Sequence, residues 1–109
     1  MDLKSLTIKS VQDGLQKKEF SGAELHGQYL AAIKQDNPKL NAYLSMFENE
    51  IRNLKLAIRN SPLANIPCAI KDNILIDGTI TTAGSKILKN YSASYDATVI
   101  TKLKQAGVV

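Results

Sequence analysis

The chain has 109 residues, with 14 Lys and Arg against 10 Asp and Glu, a formal net charge of +4, 44% hydrophobic and 22% charged residues. These proportions exclude disorder as the main state, and a single cysteine, Cys68, excludes a disulfide scaffold. No apolar run approaches the ~20 residues that a membrane-spanning helix needs. The lysines are scattered from Lys4 to Lys104, with no block of like charge, which describes a solvated surface rather than a nucleic-acid stripe. The first residues carry neither an apolar signal core nor an Arg-rich import segment, and one free thiol suits a reducing compartment. The expected location is therefore the cytoplasm.

Ile8, Val11 and Leu15 recur at helical spacing and predict a first helix from Thr7 to Lys18. Ser21-Gly22-Ala23-Glu24 has the form of a capping box, and Leu25, Tyr29, Ala32 and Ile33 continue it as one apolar stripe. Asn37-Pro38 is expected to stop this second helix, because proline disfavours helical geometry in the residue before it. Leu40, Ala42 and Leu44 alternate with polar neighbours, as a short strand or an extended connector would. Ile51, Leu54 and Ile58 predict a third helix over Glu48 to Arg59, ended by Ser61-Pro62. Residues 1–60 thus read as mainly helical.

The texture then changes. Ile66-Pro67-Cys68-Ala69-Ile70 is short and almost wholly apolar, and it ends at Lys71-Asp72-Asn73. A buried strand with charged groups at its carboxyl end is where open α/β sheets place their chemistry. Asp77-Gly78 between β-formers is a hairpin signal. Ala83-Gly84-Ser85 reads as a turn, with Ser85 capping a brief helix through Leu88. Asp96 is expected to cap a last helix with Val99, Leu103 and Ala106 on one face, and Gly107 suits a left-handed C-terminal position. Val108-Val109 reads as the start of another buried strand, so the chain is expected to be the first part of a larger domain.

Lys71 is the residue with a chemical case. An ammonium drawn toward low dielectric loses its proton more easily, and a neutral lysine can act as general base toward a serine. A structural or solvated lysine is the competing reading. His26, the only histidine, sits beside the apolar stripe and is expected to be at the surface or half-buried. No cluster of Cys and His supplies a metal site, and Gly78 and Gly84 do not make a phosphate-binding loop.

Ile66-Pro67-Cys68-Ala69-Ile70-Lys71-Asp72-Asn73-Ile74 resembles the first block of the amidase signature family. Thr81 to Leu88 resembles the threonine-rich turn that follows it, and Tyr95 to Val109 resembles the next helix and strand start. The segments Leu40–Leu44 and Tyr95–Val99 are most similar to the tRNA-dependent amidotransferase branch of that family, and the likeness spans essentially the whole chain. One departure is Asn65, where glycine commonly precedes the Ile-Pro pair.

The resemblance implies an α/β fold: a helical N-terminal region, then the first strands of a mixed central sheet covered by helices. Residues 1–109 would be an incomplete N-terminal portion of one amidase domain. It implies a Ser–cis-Ser–Lys triad with Lys71 as its catalytic lysine, both serines lying downstream of residue 109. The implied reaction releases ammonia from glutamine. The implied partners are B and C subunits in a heterotrimer and, through the complex, misacylated tRNA. No cofactor is expected in this chain, whereas ATP and Mg serve the full complex. The expectations left beside this one are a small-amide hydrolase of the same family and a free-standing helical docking module.

Overall fold

The computed structural model describes residues 1–48 and 61–108. Helix α1 spans Ile8–Lys17 and helix α2 spans Gly22–Leu40. A 3-10 turn covers Lys86–Leu88, and helix α3 covers Thr98–Gln105. The predicted third helix falls outside the described residues except for its first residue. That residue, Glu48, pairs with Lys34 at 2.8 Å.

Both N-terminal helices start on reciprocal caps. Thr7 Oγ1 accepts the Ser10 N–H at 3.1 Å while Ser10 Oγ accepts the Thr7 N–H at 2.9 Å. At α2, Ser21 Oγ accepts the Glu24 N–H at 3.2 Å and the Glu24 carboxylate accepts the Ser21 N–H at 2.7 Å. These bonds satisfy donors that a helix start would otherwise leave orphaned. They also hold the Glu24 carboxyl below its ordinary pKa, the Ser21 backbone bond first among the causes.

Helix α1 ends on Lys18 at φ 59°, and the Glu19 N–H reaches back to Gly14 O at 2.9 Å. This folds Phe20 directly over Gly14, where a Cβ would stand only 2.4 Å from the ring. Only glycine lets the corner close so tightly.

Helix α2 runs past Pro38, contrary to the expected stop at Asn37-Pro38. Pro38 lacks one N–H, which costs the helix a single bond near its end. The stop is Asn41, left-handed at φ 50°. The Asn37 side chain donates to Tyr43 O and accepts from the Tyr43 N–H, both at 2.8 Å. Leu40 is therefore helical, and the alternation through Leu44 is a connector rather than a strand.

The core joins both ends of the described chain. Val11, Leu25 and Ile66 are buried together, with Leu6, Leu15, Phe20, Tyr29 and Leu63 packed around them. Residues from both sides of position 60 share this cluster, which counts against a self-contained helical module over residues 1–60. The turn at 61–66 also reaches α3: Leu63 N–H bonds Ala106 O at 2.8 Å and Asn65 N–H bonds Gly107 O at 3.2 Å. Asn65 is left-handed at φ 62°. Its side chain lies across Gly22, within 3.0–3.1 Å of where a Cβ would stand. Asparagine is among the few non-glycine residues that tolerate this conformation, which accounts for its standing where the family commonly has glycine.

His26 is 2% exposed, not a surface or half-buried residue as expected. Its Nε2 lies 3.1 Å from Asn65 O. A carbonyl only accepts, so Nε2 carries the hydrogen. This bond removes the usual objection to burying an imidazole beside the apolar stripe. Burial lowers the His26 pKa from the usual 6.5, against a smaller raising effect of the Asn65 carbonyl.

The expected sheet is absent among the described residues. Ile66–Ile70 has no regular structure, and the sheet pairing consists of one antiparallel bridge between Ile80 and Ser92. A helix satisfies its own backbone, whereas a strand needs a neighbour, and none lies along 66–70 here. Asp77-Gly78 turns the chain, with Thr79 N–H on Ile76 O at 3.1 Å, but does not close a local hairpin. Residues 78–81 pair with 91–93 instead, through Gly78 N–H to Ala93 O at 2.8 Å and Thr81 N–H to Tyr91 O at 3.1 Å.

Helix α3 also differs from expectation. Its buried residue is Ile100, while Val99 is 48% exposed. Its N-cap is Ala97, and Asp96 makes no cap. Its end is as expected: Gly107 at φ 88° permits Val108 N–H to Leu103 O and Gly107 N–H to Lys104 O, the paired bonds of a Schellman motif.

Two outcomes test the junction at Asn65. Asn65→Gly is expected to leave stability nearly unchanged, whereas Asn65→Val, forced into a left-handed backbone, loses ~1–2 kcal/mol in urea unfolding. The second concerns pH. The folded His26 pKa lies below its unfolded value of 6.5, so the unfolded chain takes the proton first. The stability due to neutral His26 is complete above 6.5 and declines as pH falls toward the lowered folded value. Thermal melting at about pH 7.5 and about pH 5.5 should show this decline, and His26→Gln, which donates but does not titrate, should flatten it.

Candidate active-site segment

The apolar segment leaves the core at buried Ile66 and delivers Lys71 to the surface, where its side chain is exposed. The chain turns at once, with Ile74 N–H on Lys71 O at 3.0 Å. Asp72 then ties this turn to the threonine-rich one. Its Oδ1 accepts the Thr82 N–H at 3.0 Å, and its Oδ2 accepts the Thr82 hydroxyl. Its backbone carbonyl accepts the Ala83 N–H at 2.9 Å. The Thr82 hydroxyl bond, then the Thr82 backbone bond, hold the Asp72 carboxyl below its ordinary pKa.

Thr82 to Ser85 is a tight turn. Ser85 N–H bonds Thr82 O at 2.8 Å, and the central residues Ala83 and Gly84 are both at positive φ, 49° and 72°. This is the pattern of a type I′ turn, which favours glycine at its second central position. Gly84 N–H donates to Thr82 Oγ1 at 3.1 Å. All four backbone N–H groups from Thr82 to Ser85 are thus engaged inside the site. The turn presents no free donors for an oxyanion or phosphate, in keeping with the sequence reading of its glycines. Ser85 occupies the N-cap position of the 3-10 turn without a side-chain cap bond.

A second carboxylate closes the far side. Asp96 Oδ1 accepts the Asp77 N–H at 2.8 Å, and Oδ2 meets Lys104 Nζ at 2.6 Å. Ala97 N–H bonds Leu75 O at 2.9 Å beside it. The Lys104 bond, then the Asp77 backbone bond, lower the Asp96 pKa. Sequence reasoning gave neither Asp72 nor Asp96 its place, since both bonds span turns whose geometry no local pattern encodes. The nearest available signal was the pairing of Asp72 with a threonine-rich block ten residues on. Cys68 is exposed, and among the described residues no group of three His, Cys, Asp or Glu could hold a metal ion.

Asp96→Ala is expected to lower the urea midpoint more than Lys104→Met does. The first leaves the Asp77 N–H without its carboxylate, while the second removes only a largely exposed ion pair.

The sequence profile of the amidase family matches residues 24–109. The A subunit of the glutamyl-tRNA(Gln) amidotransferase from Halothermothrix orenii is 42% identical over 107 residues, covering 98% of this chain and 22% of that protein. Its namesake from Lactobacillus acidophilus is 44% identical over 100 residues, covering 92% of this chain and 21% of its own length. Among solved structures, the A subunit of the Thermotoga maritima glutamyl-tRNA(Gln) amidotransferase superposes with a TM-score of 0.76 at 36% identity, over all of this chain and 22% of that one. A chain from a vestigial complex, described as revealing the origins of an s-triazine catabolic enzyme, gives a TM-score of 0.84 at 27% identity, over 95% of this chain and 25% of that one. This chain therefore spans about a quarter of the length of the proteins it matches. With the profile covering most of its residues, it belongs to the amidase family.

Proposed function

We propose that this chain is the N-terminal portion of the glutamine-hydrolysing component of a tRNA-dependent amidotransferase, and that Lys71 is its catalytic base. The observation that carries the assignment is 42% identity over 98% of the chain to a protein of that name. The lower 27% identity to the chain from the vestigial complex weighs against a small-amide hydrolase.

In the proposed reaction the Lys71 amine, neutral at the moment of attack, takes a proton from a bridging cis-serine. That serine takes one from the nucleophilic serine, whose oxygen attacks the carboxamide carbon of glutamine. The C–N bond breaks, ammonia leaves with the relayed proton, and water hydrolyses the acyl-enzyme to glutamate. Both serines belong to polypeptide beyond residue 109, so the 109-residue chain is inactive by itself. The exposure of Lys71 in this chain means that the low dielectric a neutral amine needs must come from that same polypeptide.

In this reading the whole enzyme passes ammonia to a B subunit, which uses ATP and Mg to amidate misacylated tRNA. A C subunit braces the assembly. None of the described residues is assigned a part in holding ATP or Mg. The complex works in the cytoplasm.

In the full-length protein, Lys71→Ala is expected to abolish glutaminase activity while folding, followed by circular dichroism, persists. Lys71→Arg should fail almost as badly, because a guanidinium does not give up its proton. Near-parental activity in the alanine variant would overturn the role of Lys71. Adding B and C subunits should confer tRNA-dependent amidation; glutamine hydrolysis with no such gain would favour the hydrolase reading.

A further inference from the structure

We propose that Asp72 and Thr82 form a clamp that positions Lys71 for proton transfer, so that both are positioning residues of the reaction. The inference rests on the reading of Lys71 as the base.

The geometry carries it. Lys71 lies on the surface, one residue before Asp72, and its long side chain has four carbons to order. What the protein can fix directly is the backbone from which that side chain springs. Three bonds do so: Thr82 N–H and Thr82 Oγ–H to the two oxygens of the Asp72 carboxylate, and Ala83 N–H to Asp72 O. Thr82 Oγ1 also accepts the Gly84 N–H, so one hydroxyl donates to the lysine segment while it locks the type I′ turn. That double role ties the lysine segment to the threonine-rich turn through a single side chain.

Asp72 does not serve as an acid or base here, because both its oxygens already accept hydrogens and its pKa is lowered. Its negative charge is used to make charge-assisted bonds, which are shorter and stronger than neutral ones. The expected consequence of losing the clamp is misplacement of the amine, to which proton transfer is steep. Glutamine binding should be spared, since none of these groups is free to contact substrate.

The test uses the full-length protein in its complex. Thr82→Val keeps the shape and the backbone N–H but removes the hydroxyl, whereas Thr82→Ser restores it. Thr82→Val is expected to lower kcat for glutamine hydrolysis by about tenfold or more with KM changed by less than about twofold, and Thr82→Ser to stay within about threefold of the parent. The Gly84 amide, having lost its acceptor, should exchange its hydrogen faster in the valine variant. If Thr82→Val does not fold, Asp72→Asn takes its place, because it keeps one acceptor oxygen and turns a donor toward the hydroxyl; the same split in kcat and KM is expected.

Lys71→Ala inactive with Thr82→Val fully active would sink the clamp and leave the role of Lys71 standing. An active Lys71→Ala would sink both. A loss of activity matched by an equal loss of folded protein, with unchanged kcat per folded molecule, would reduce the clamp to a structural tie and overturn the proposal.

Discussion

The described structure depends on one left-handed residue. Asn65 at φ 62° aims its N–H at Gly107 and its carbonyl at buried His26, while its side chain lies over Gly22. A right-handed backbone at this position would point those groups elsewhere. The start of α2, the end of α3 and the turn between them would then lose their common bond. Because Leu63 and Ile66 flank this residue and enter the core with Val11 and Leu25, the same constraint sets the direction in which the chain leaves the core toward Lys71.

Polar groups near Lys71 are spent on holding shape. Asp72 takes two donors of Thr82, Thr82 takes one from Gly84, and Asp96 takes one from Asp77 and one from Lys104. Each carboxylate ties together two segments distant in sequence, and each has its pKa lowered by those bonds. Such carboxylates orient neighbouring groups; they do not exchange protons near neutral pH. In the proposed reaction, proton transfer then falls to Lys71 and to the serines that must meet it.

The apolar surface is the other notable property. Ile80, Ile87, Tyr91, Tyr95 and Val99 are all exposed, Ile87 at 93%. These residues belong to the half of the chain in which the sequence led us to expect sheet. The relatives are matched over only 21–25% of their own length. In the proposed reading, packing for these side chains, pairing for the Ile66–Ile70 segment and desolvation of the Lys71 amine all come from the same further polypeptide.

By itself the sequence determined what local chemistry controls. The capping box at Ser21, the spacing of Val11 and Leu15, the turn at Ala83-Gly84 and the left-handed Gly107 each depend on neighbours within a few residues, and each took the expected form. So did the family likeness, which rests on the order of short blocks. Tertiary structure decided the rest. His26 could be buried because a carbonyl thirty-nine residues away was there to accept its hydrogen. Pro38 stayed in a helix because Asn37 could bond Tyr43 and Asn41 could turn left-handed. Asp96 gave up a cap for Asp77 and Lys104, and Asp72 found Thr82. The strand expected at Ile66–Ile70 failed to form for the same reason in reverse. A strand is completed by a partner elsewhere, and no local pattern can supply one.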